Sequence, residues 1–158
     1  MIEFKNVSKT YDNKNYILKN VNLTINDGEF VFIVGHSGAG KTTLTKLLMR
    51  EEKISDGRLL IGNFRLDKMR ESKVPYLRRT MGIVFQDFRL FPQKTVYENV
   101  AFAMQVIGTP SKTIKKNVPV FLEAVGLKDR MDYLPSQLAG GEKQRVAIAR
   151  GIIRQKGS

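Results

Sequence analysis

The stretch that most limits what this chain can fold into is Gly35-His36-Ser37-Gly38-Ala39-Gly40-Lys41-Thr42-Thr43, which follows directly on the apolar run Phe30-Val31-Phe32-Ile33-Val34. An unbroken apolar run between turn-formers reads as a strand buried on both faces. The glycines after it let the backbone curl so that successive N–H groups face one anion. A helix opening near Lys41 turns the positive end of its dipole toward the same point. Leu44, Leu47 and Leu48 share one face of that helix, so an apolar strand before the loop and an amphipathic helix after it are both encoded. A plain Gly-rich turn needs neither, and the stretch is read as a phosphate-binding loop. Lys41 is placed for β- and γ-phosphates and the Thr42 hydroxyl for Mg²⁺. His36 occupies a variable position of the loop spacing and is read as a loop residue, not as a base.

The rest of the composition narrows the chemistry. With 158 residues and 42% hydrophobic content the chain can bury one domain's core. It carries no cysteine and a single histidine, which excludes disulfides, thiol nucleophiles, Cys-ligated zinc and multi-histidine metal sites. No apolar run approaches bilayer length, and Met1 to Lys5 begins as structure without a signal peptide's apolar core, so a cytoplasmic location is expected. The net charge is +12. The basic residues are dispersed, with local pairs at Arg78-Arg79 and Lys115-Lys116, as in a solvated face partly aimed at a nucleotide or an anionic membrane surface. No specific nucleic-acid partner is expected.

Along the chain, Ile2 to Val7 and Val21 to Ile25 alternate like half-buried strands, separated by turn composition at Tyr11 to Asn15. Asn26-Asp27-Gly28 turns the chain into the central run, and Ser55-Asp56-Gly57 leads into a short strand over Arg58 to Ile61. Leu66 to Arg79 is helix-compatible apart from Pro75, which must end one segment or begin another. Met81 to Phe85 reads as a further buried strand. Helical spacing then takes over at Thr95 to Ile107, Lys112 to Val125 and about Glu142 to Arg154, with Pro119 predicting a kink or late start in the second. The class is α/β.

Leu138-Ala139-Gly140-Gly141-Glu142-Lys143-Gln144-Arg145 is the second informative stretch. Adjacent glycines at a helix start allow two readings. One is an ordinary helix N-terminus. The other is an anion site facing a nucleotide held by a second copy, so that two chains sandwich two nucleotides head to tail.

Tyr11, the Gly35–Thr43 loop, Gln86 after an apolar run, and Leu138–Glu142 before a helix occur in the order of the ATP-binding-cassette ATPases, and the chain resembles that family over essentially its whole length. The loop matches the Walker A motif, Tyr11 the aromatic loop, Gln86 the glutamine loop and Leu138–Glu142 the signature. The resemblance implies a P-loop NTPase with an antiparallel β-subdomain, a RecA-like core and a helical subdomain over approximately residues 90–140, in one cassette domain spanning 1–158. It implies ATP and Mg²⁺ as cofactors. Gly35, His36, Ser37, Gly38, Ala39, Gly40, Lys41, Thr42 and Thr43 would bind the nucleotide, and Tyr11 would stack on adenine. Ala139, Gly140, Gly141 and Glu142 would reach a partner copy's nucleotide in trans. Lys41 and Gln86 are the implied catalytic contributors, Thr42 and Gln86 the implied metal ligands.

Two departures from the family pattern carry expectations. Ala139 stands where the signature normally has serine, removing a hydroxyl expected on the opposite γ-phosphate, so closure of the sandwich is expected to be weakened and not abolished. The family continues past the signature helix into an apolar strand ending in Asp-Glu and then a switch histidine, which Gln155-Lys156-Gly157-Ser158 do not form. The core is therefore expected to be incomplete, with poor hydrolysis by the chain alone and exposed apolar surface.

Val74 to Arg79, Val84 to Leu90 and Thr95 to Val100 look most like the cell-division members of the family. That resemblance implies a homodimer in the parent protein, working with an integral membrane partner. The alternatives are a cassette energising transport of lipoproteins or small solutes, and a non-catalytic nucleotide-binding fragment. Phe88 to Pro92 is either the partner's docking surface or apolar packing between lobes.

Overall fold

The computed structural model describes residues 1–153. The chain divides into two units, Met1–Arg78 and Arg79–Ser158. The end of the helix expected to reach Arg154, and the residues Gln155 to Ser158, lie outside the described part.

In the first unit the alternating segments pair as an antiparallel sheet in the order β2-β1-β3-β4, with β1 at Ile2–Thr10, β2 at Tyr16–Ile25, β3 at Asp56–Ile61 and β4 at Phe64–Arg65. This is the antiparallel sheet the sequence implied. Phe4 sits opposite Leu23 on one side and Leu59 on the other, and Phe4, Val7, Leu18 and Leu59 are buried. The register of β1 slips after Phe4, where Asn6 takes a φ of 50°. Asparagine tolerates that left-handed conformation better than most residues. The bulge is tied by the Asn6 N–H donating to Asn22 Oδ1 at 2.9 Å and by Asn22 Nδ2 donating to Asn6 Oδ1 at 3.0 Å. Gly57 crosses the same bulge with φ +94°, where a Cβ would lie 2.3 Å from the Asn6 carbonyl oxygen.

Helix α1, Lys41–Leu48, buries Leu44 and Leu47 as its spacing predicts. It ends in a Schellman-type closure, Arg50 N–H to Leu47 O at 3.0 Å and Glu51 N–H to Lys46 O at 2.9 Å. The left-handed residue of that closure is Arg50, at φ 55°. Its buried side chain donates to Leu66 O at 3.1 Å and Met69 O at 3.2 Å, so a tertiary anchor holds a conformation usually left to glycine. Leu66 to Arg79 resolves into two short 3₁₀ turns and α2, Val74–Arg79, with Pro75 in its first turn, where a missing N–H is harmless.

The second unit is helical: α3 at Val96–Val106, α4 at Ser111–Ala124 and α5 at Gly140–Ile152. Val96, Val100, Met104, Ile114, Val118, Leu122, Val146 and Ala149 form one apolar cluster. Thr95 caps α3 in a full capping box with Glu98, the Glu98 N–H donating to Thr95 Oγ1 at 3.2 Å and the Thr95 N–H to Glu98 Oε2 at 2.7 Å. Gly126, at φ +70°, ends α4: its N–H meets Glu123 O at 2.9 Å and the Leu127 N–H meets Leu122 O at 2.8 Å. The late start considered for this helix is not taken. It begins at Ser111 and carries Pro119 internally, and its Ile114, Val118 and Leu122 stripe compensates for the lost backbone bond.

Two expected strands are absent. Phe30 to Val34 forms no strand, and Phe30, Phe32 and Val34 are 83%, 77% and 86% exposed. Met81 to Phe85 likewise forms no strand, with Val84 45% exposed. An apolar run supplies the desire for burial, but a strand is made by ladder bonds to a neighbour. No described residue forms a ladder with either segment.

Candidate functional site

The loop between Val34 and α1 is shaped by its own residues. Gly38 and Gly40 take φ of +82° and +84°, left-handed conformations that their lack of a Cβ permits. A Cβ on Gly40 would stand 2.8 Å from Leu18 Cδ2 and 3.1 Å from Ile17 O, so this glycine also lets the loop lie close on β2. The Ala39 N–H donates to His36 O at 3.2 Å, closing the turn. The Lys41 ammonium reaches back over it, donating to Gly35 O at 2.6 Å and His36 O at 2.8 Å. His36 Nδ1 lies 2.7 Å from Ser37 O, a contact within the loop.

Gly40 caps α1 without a side-chain hydrogen bond, and no acidic residue stands in the first turn. The helix's leading N–H groups at Lys41, Thr42 and Thr43 have no carbonyl a turn earlier to bond. Backbone donors, a positive dipole end and an ammonium therefore converge with no carboxylate from the same helix to neutralise them. Thr42 and Ser37 are exposed beside them. The arrangement can receive a multiply charged anion.

Tyr11 follows β1 in a turn organised by Asp12. That carboxylate accepts from the Asn15 N–H at 2.7 Å, the Lys14 N–H at 2.9 Å and the Asn15 side-chain amide at 2.7 Å. Those bonds, led by the Asn15 backbone N–H, hold the Asp12 carboxyl well below its ordinary range. The Tyr11 ring is 56% exposed, and buried Lys9 places its ammonium 4.6 Å from the ring centroid while donating to Glu52 Oε2 and Lys53 O, both at 2.9 Å. The bond from Lys9 is also the main reason the Glu52 carboxyl titrates low. Thr10 pairs with Tyr16, and the next residues of β2, Ile17 and Leu18, pack on Gly40. The sheet thus joins the Tyr11 turn to the loop.

The second unit holds the remaining candidates. Ala139 is the N-cap of α5, and Gly140 and Gly141 open the helix, all three exposed. Glu142 turns its carboxylate back, accepting from the Ala139 N–H at 2.9 Å, and stands 3.7 Å from the Arg130 guanidinium. This is half a capping box, since alanine has no oxygen with which to answer the Glu142 N–H. Gln86 is exposed in a turn closed by the Phe88 N–H on Phe85 O at 3.0 Å. It lines a shallow concavity with Val84, Phe85, Phe88 and Gln144, so Gln86 and α5 share one surface. Phe91, in the stretch read as either a docking surface or apolar packing, packs edge-on against Phe102 with centroids 4.8 Å apart and stays 37% exposed.

Sequence reasoning missed Arg150. From the last turn of α5 it donates through Nη1 to Arg89 O and through Nη2 to Phe88 O, each at 2.8 Å. Nothing in helical spacing marks it. The run after Gln86 carries no glycine to warn that Phe88 and Arg89 are both left-handed, at φ 58° and 43°.

Comparison with known proteins agrees with this architecture. A family model described as ABC transporter matches residues 18–157. The chain is 49% identical over 153 residues to the cell division ATP-binding protein FtsE of Streptococcus pneumoniae, covering 97% of this chain and 66% of that protein. It is 42% identical over 152 residues to the methionine import ATP-binding protein MetN of Helicobacter pylori, covering 96% of this chain and 46% of that one. Among solved structures, a dimeric ATP-binding cassette in a post-hydrolysis state with ADP and Pi superposes with a TM-score of 0.85 at 36% identity, over 98% of this chain and 70% of the other. The chain belongs to the ABC transporter family. It spans 66% of the length of the FtsE protein it matches.

Proposed function

We propose that this chain is the nucleotide-binding portion of an FtsE-like ATP-binding subunit, with Gly35–Thr43 holding the phosphates of MgATP. The observation that carries the reading is the loop itself: Lys41 braced on Gly35 O and His36 O above a helix start that has no acidic residue. These residues fit a nucleotide's phosphates. The loop is a backbone cradle with a cation at its rim, and the exposed Thr42 hydroxyl beside it is an oxygen donor suited to Mg²⁺, with Gln86 proposed as a further ligand. When bound, Mg²⁺ would supply positive charge against the negative charge of the phosphates. Around it, Lys41 would bind and orient the terminal phosphates, and exposed Tyr11 would offer its ring to the adenine. Ala139, Gly140 and Gly141 of a second copy would present N–H groups and a helix dipole to the same nucleotide, Glu142 being occupied in holding that helix start.

In this reading the parent protein is a homodimer on the inner face of the cell membrane, held there by an integral membrane partner of the FtsX type, with residues 90–140 as the helical subdomain facing it. No helix among the described residues is long and apolar enough to cross a membrane. The 49% identity to a cell-division protein supports the assignment. The 42% identity to a methionine importer's ATP-binding protein supports a second reading, an importer subunit. Affinity purification of the parent protein from its native membranes separates them. Recovery of an FtsX-type protein supports the first, and recovery of a solute permease in its place overturns it.

A further inference from the structure

The chain just after Gln86 adopts two consecutive left-handed conformations without glycine, Phe88 at φ 58° and Arg89 at φ 43°. Such backbone persists only where its surroundings over-determine it. The surroundings here are concentrated in one group. The guanidinium of Arg150 takes the Phe88 carbonyl with Nη2 and the Arg89 carbonyl with Nη1, both at 2.8 Å. A planar fork grips two acceptors when they face the same way, as successive carbonyls do in helical backbone of either hand; in an extended chain they alternate. The clamp and the left-handed pair therefore require each other. A second contact lies one residue along α5: a Cβ on Gly82 would stand 2.3 Å from Gly151 O, so the backbones touch. Segment 82–89 is thus fastened to the last turn of α5, while the first turn of α5 carries Ala139, Gly140 and Gly141.

We propose that Arg150 is a positioning residue that makes the Gln86 loop and α5 move as one body, so that a change at Gln86 is delivered along the helix to the Ala139–Glu142 end. This rests on the reading of Gln86 as a nucleotide-sensing residue. The helix, Gly140–Ile152, is continuous and packed into the apolar cluster through Val146 and Ala149, so it transmits displacement and does not absorb it. Arg89 adds local bracing only, its guanidinium 3.7 Å from the Phe85 ring centroid and 3.5 Å from Asp87 Oδ1.

The test is hydrogen exchange over residues 86–90 and 139–146 of the 158-residue chain, with and without MgATP, in the wild type, Arg150→Ala, Arg150→Lys and the double variant Arg150→Ala/Arg89→Gly. Both single variants should exchange on the order of tenfold faster at 86–90, because lysine lacks the fork. The double variant should recover much of the protection, since glycine accepts the left-handed φ unaided. MgATP should change exchange at 139–146 in the wild type, and that response should vanish in Arg150→Ala. Unaltered exchange at 86–90, or a response at 139–146 that survives Arg150→Ala, overturns the proposal. Failure of the underlying reading shows separately. MgATP that binds but leaves 86–90 of the wild type unchanged overturns the role of Gln86 and the coupling with it, whereas a response at 86–90 that never reaches 139–146 overturns the coupling alone.

Discussion

The ammonium of Lys41 donates to the carbonyl oxygen of Gly35 at 2.6 Å, so the residue that opens α1 also closes the loop that precedes it. With the bond to His36 O at 2.8 Å, two of the three ammonium donors are committed to shaping the loop, and the charge is held where the helix dipole is most positive. Loop geometry and anion affinity therefore depend on the same side chain.

The fit of the loop against β2 makes a stability prediction. Gly40→Ala adds a Cβ 2.8 Å from Leu18 Cδ2 at φ +84°, whereas Gly28→Ala meets nothing within 4 Å at φ +83°. The left-handed conformation alone costs about 1–2 kcal/mol in either variant. Gly40→Ala should lose clearly more in urea unfolding. Equal losses would mean the loop does not lie on β2.

Ala139→Ser should stabilise. A serine hydroxyl at the N-cap can accept from the Glu142 N–H and complete the box that Glu142 already half makes through its 2.9 Å bond. A gain of about 1 kcal/mol is expected in chemical denaturation. Ala139→Gly should give a smaller gain, since glycine caps about a few tenths of a kcal/mol less well than serine. A destabilised serine variant would show that α5 does not begin as described.

Glu98 gives a pH dependence. Its carboxyl titrates below the ordinary 4.5, chiefly because it accepts the Thr95 N–H. A carboxyl depressed in the folded state contributes stability above its unfolded pKa and loses it as pH falls through the folded one. The wild type's stability advantage over Glu98→Gln should therefore be full at neutral pH and shrink as pH is lowered below about 4.5. Urea midpoints of the two proteins across that range supply the check, and a gap that widens on acidification would contradict it.

The sequence revealed the parts whose rules are local. Gly38, Gly40 and Lys41 declared a glycine loop opening a helix, because few other local structures need glycine at those spacings. The apolar spacing that begins at Thr95 likewise marked a helix, and the structure supplies its capping box with Glu98. Phe30 to Val34 misled because an apolar run reports a wish to be covered and says nothing of what covers it. Arg50, Phe88 and Arg89 were illegible on different grounds. Each takes a left-handed φ through distant partners: Arg50 through Leu66 O and Met69 O, Phe88 and Arg89 through Arg150. No window of sequence contains both halves of those contacts.

The central claim is that Gly35–Thr43 binds nucleotide phosphate through Lys41 and the start of α1. Equilibrium titration of MgATP into the 158-residue chain and its Lys41→Ala variant tests it most directly. Losing hydrogen bonds from a charged group is worth about 1.5–3 kcal/mol, so the variant should bind roughly 10- to 150-fold more weakly. Equal affinity of the two proteins, or no measurable binding by the wild type, would contradict the account.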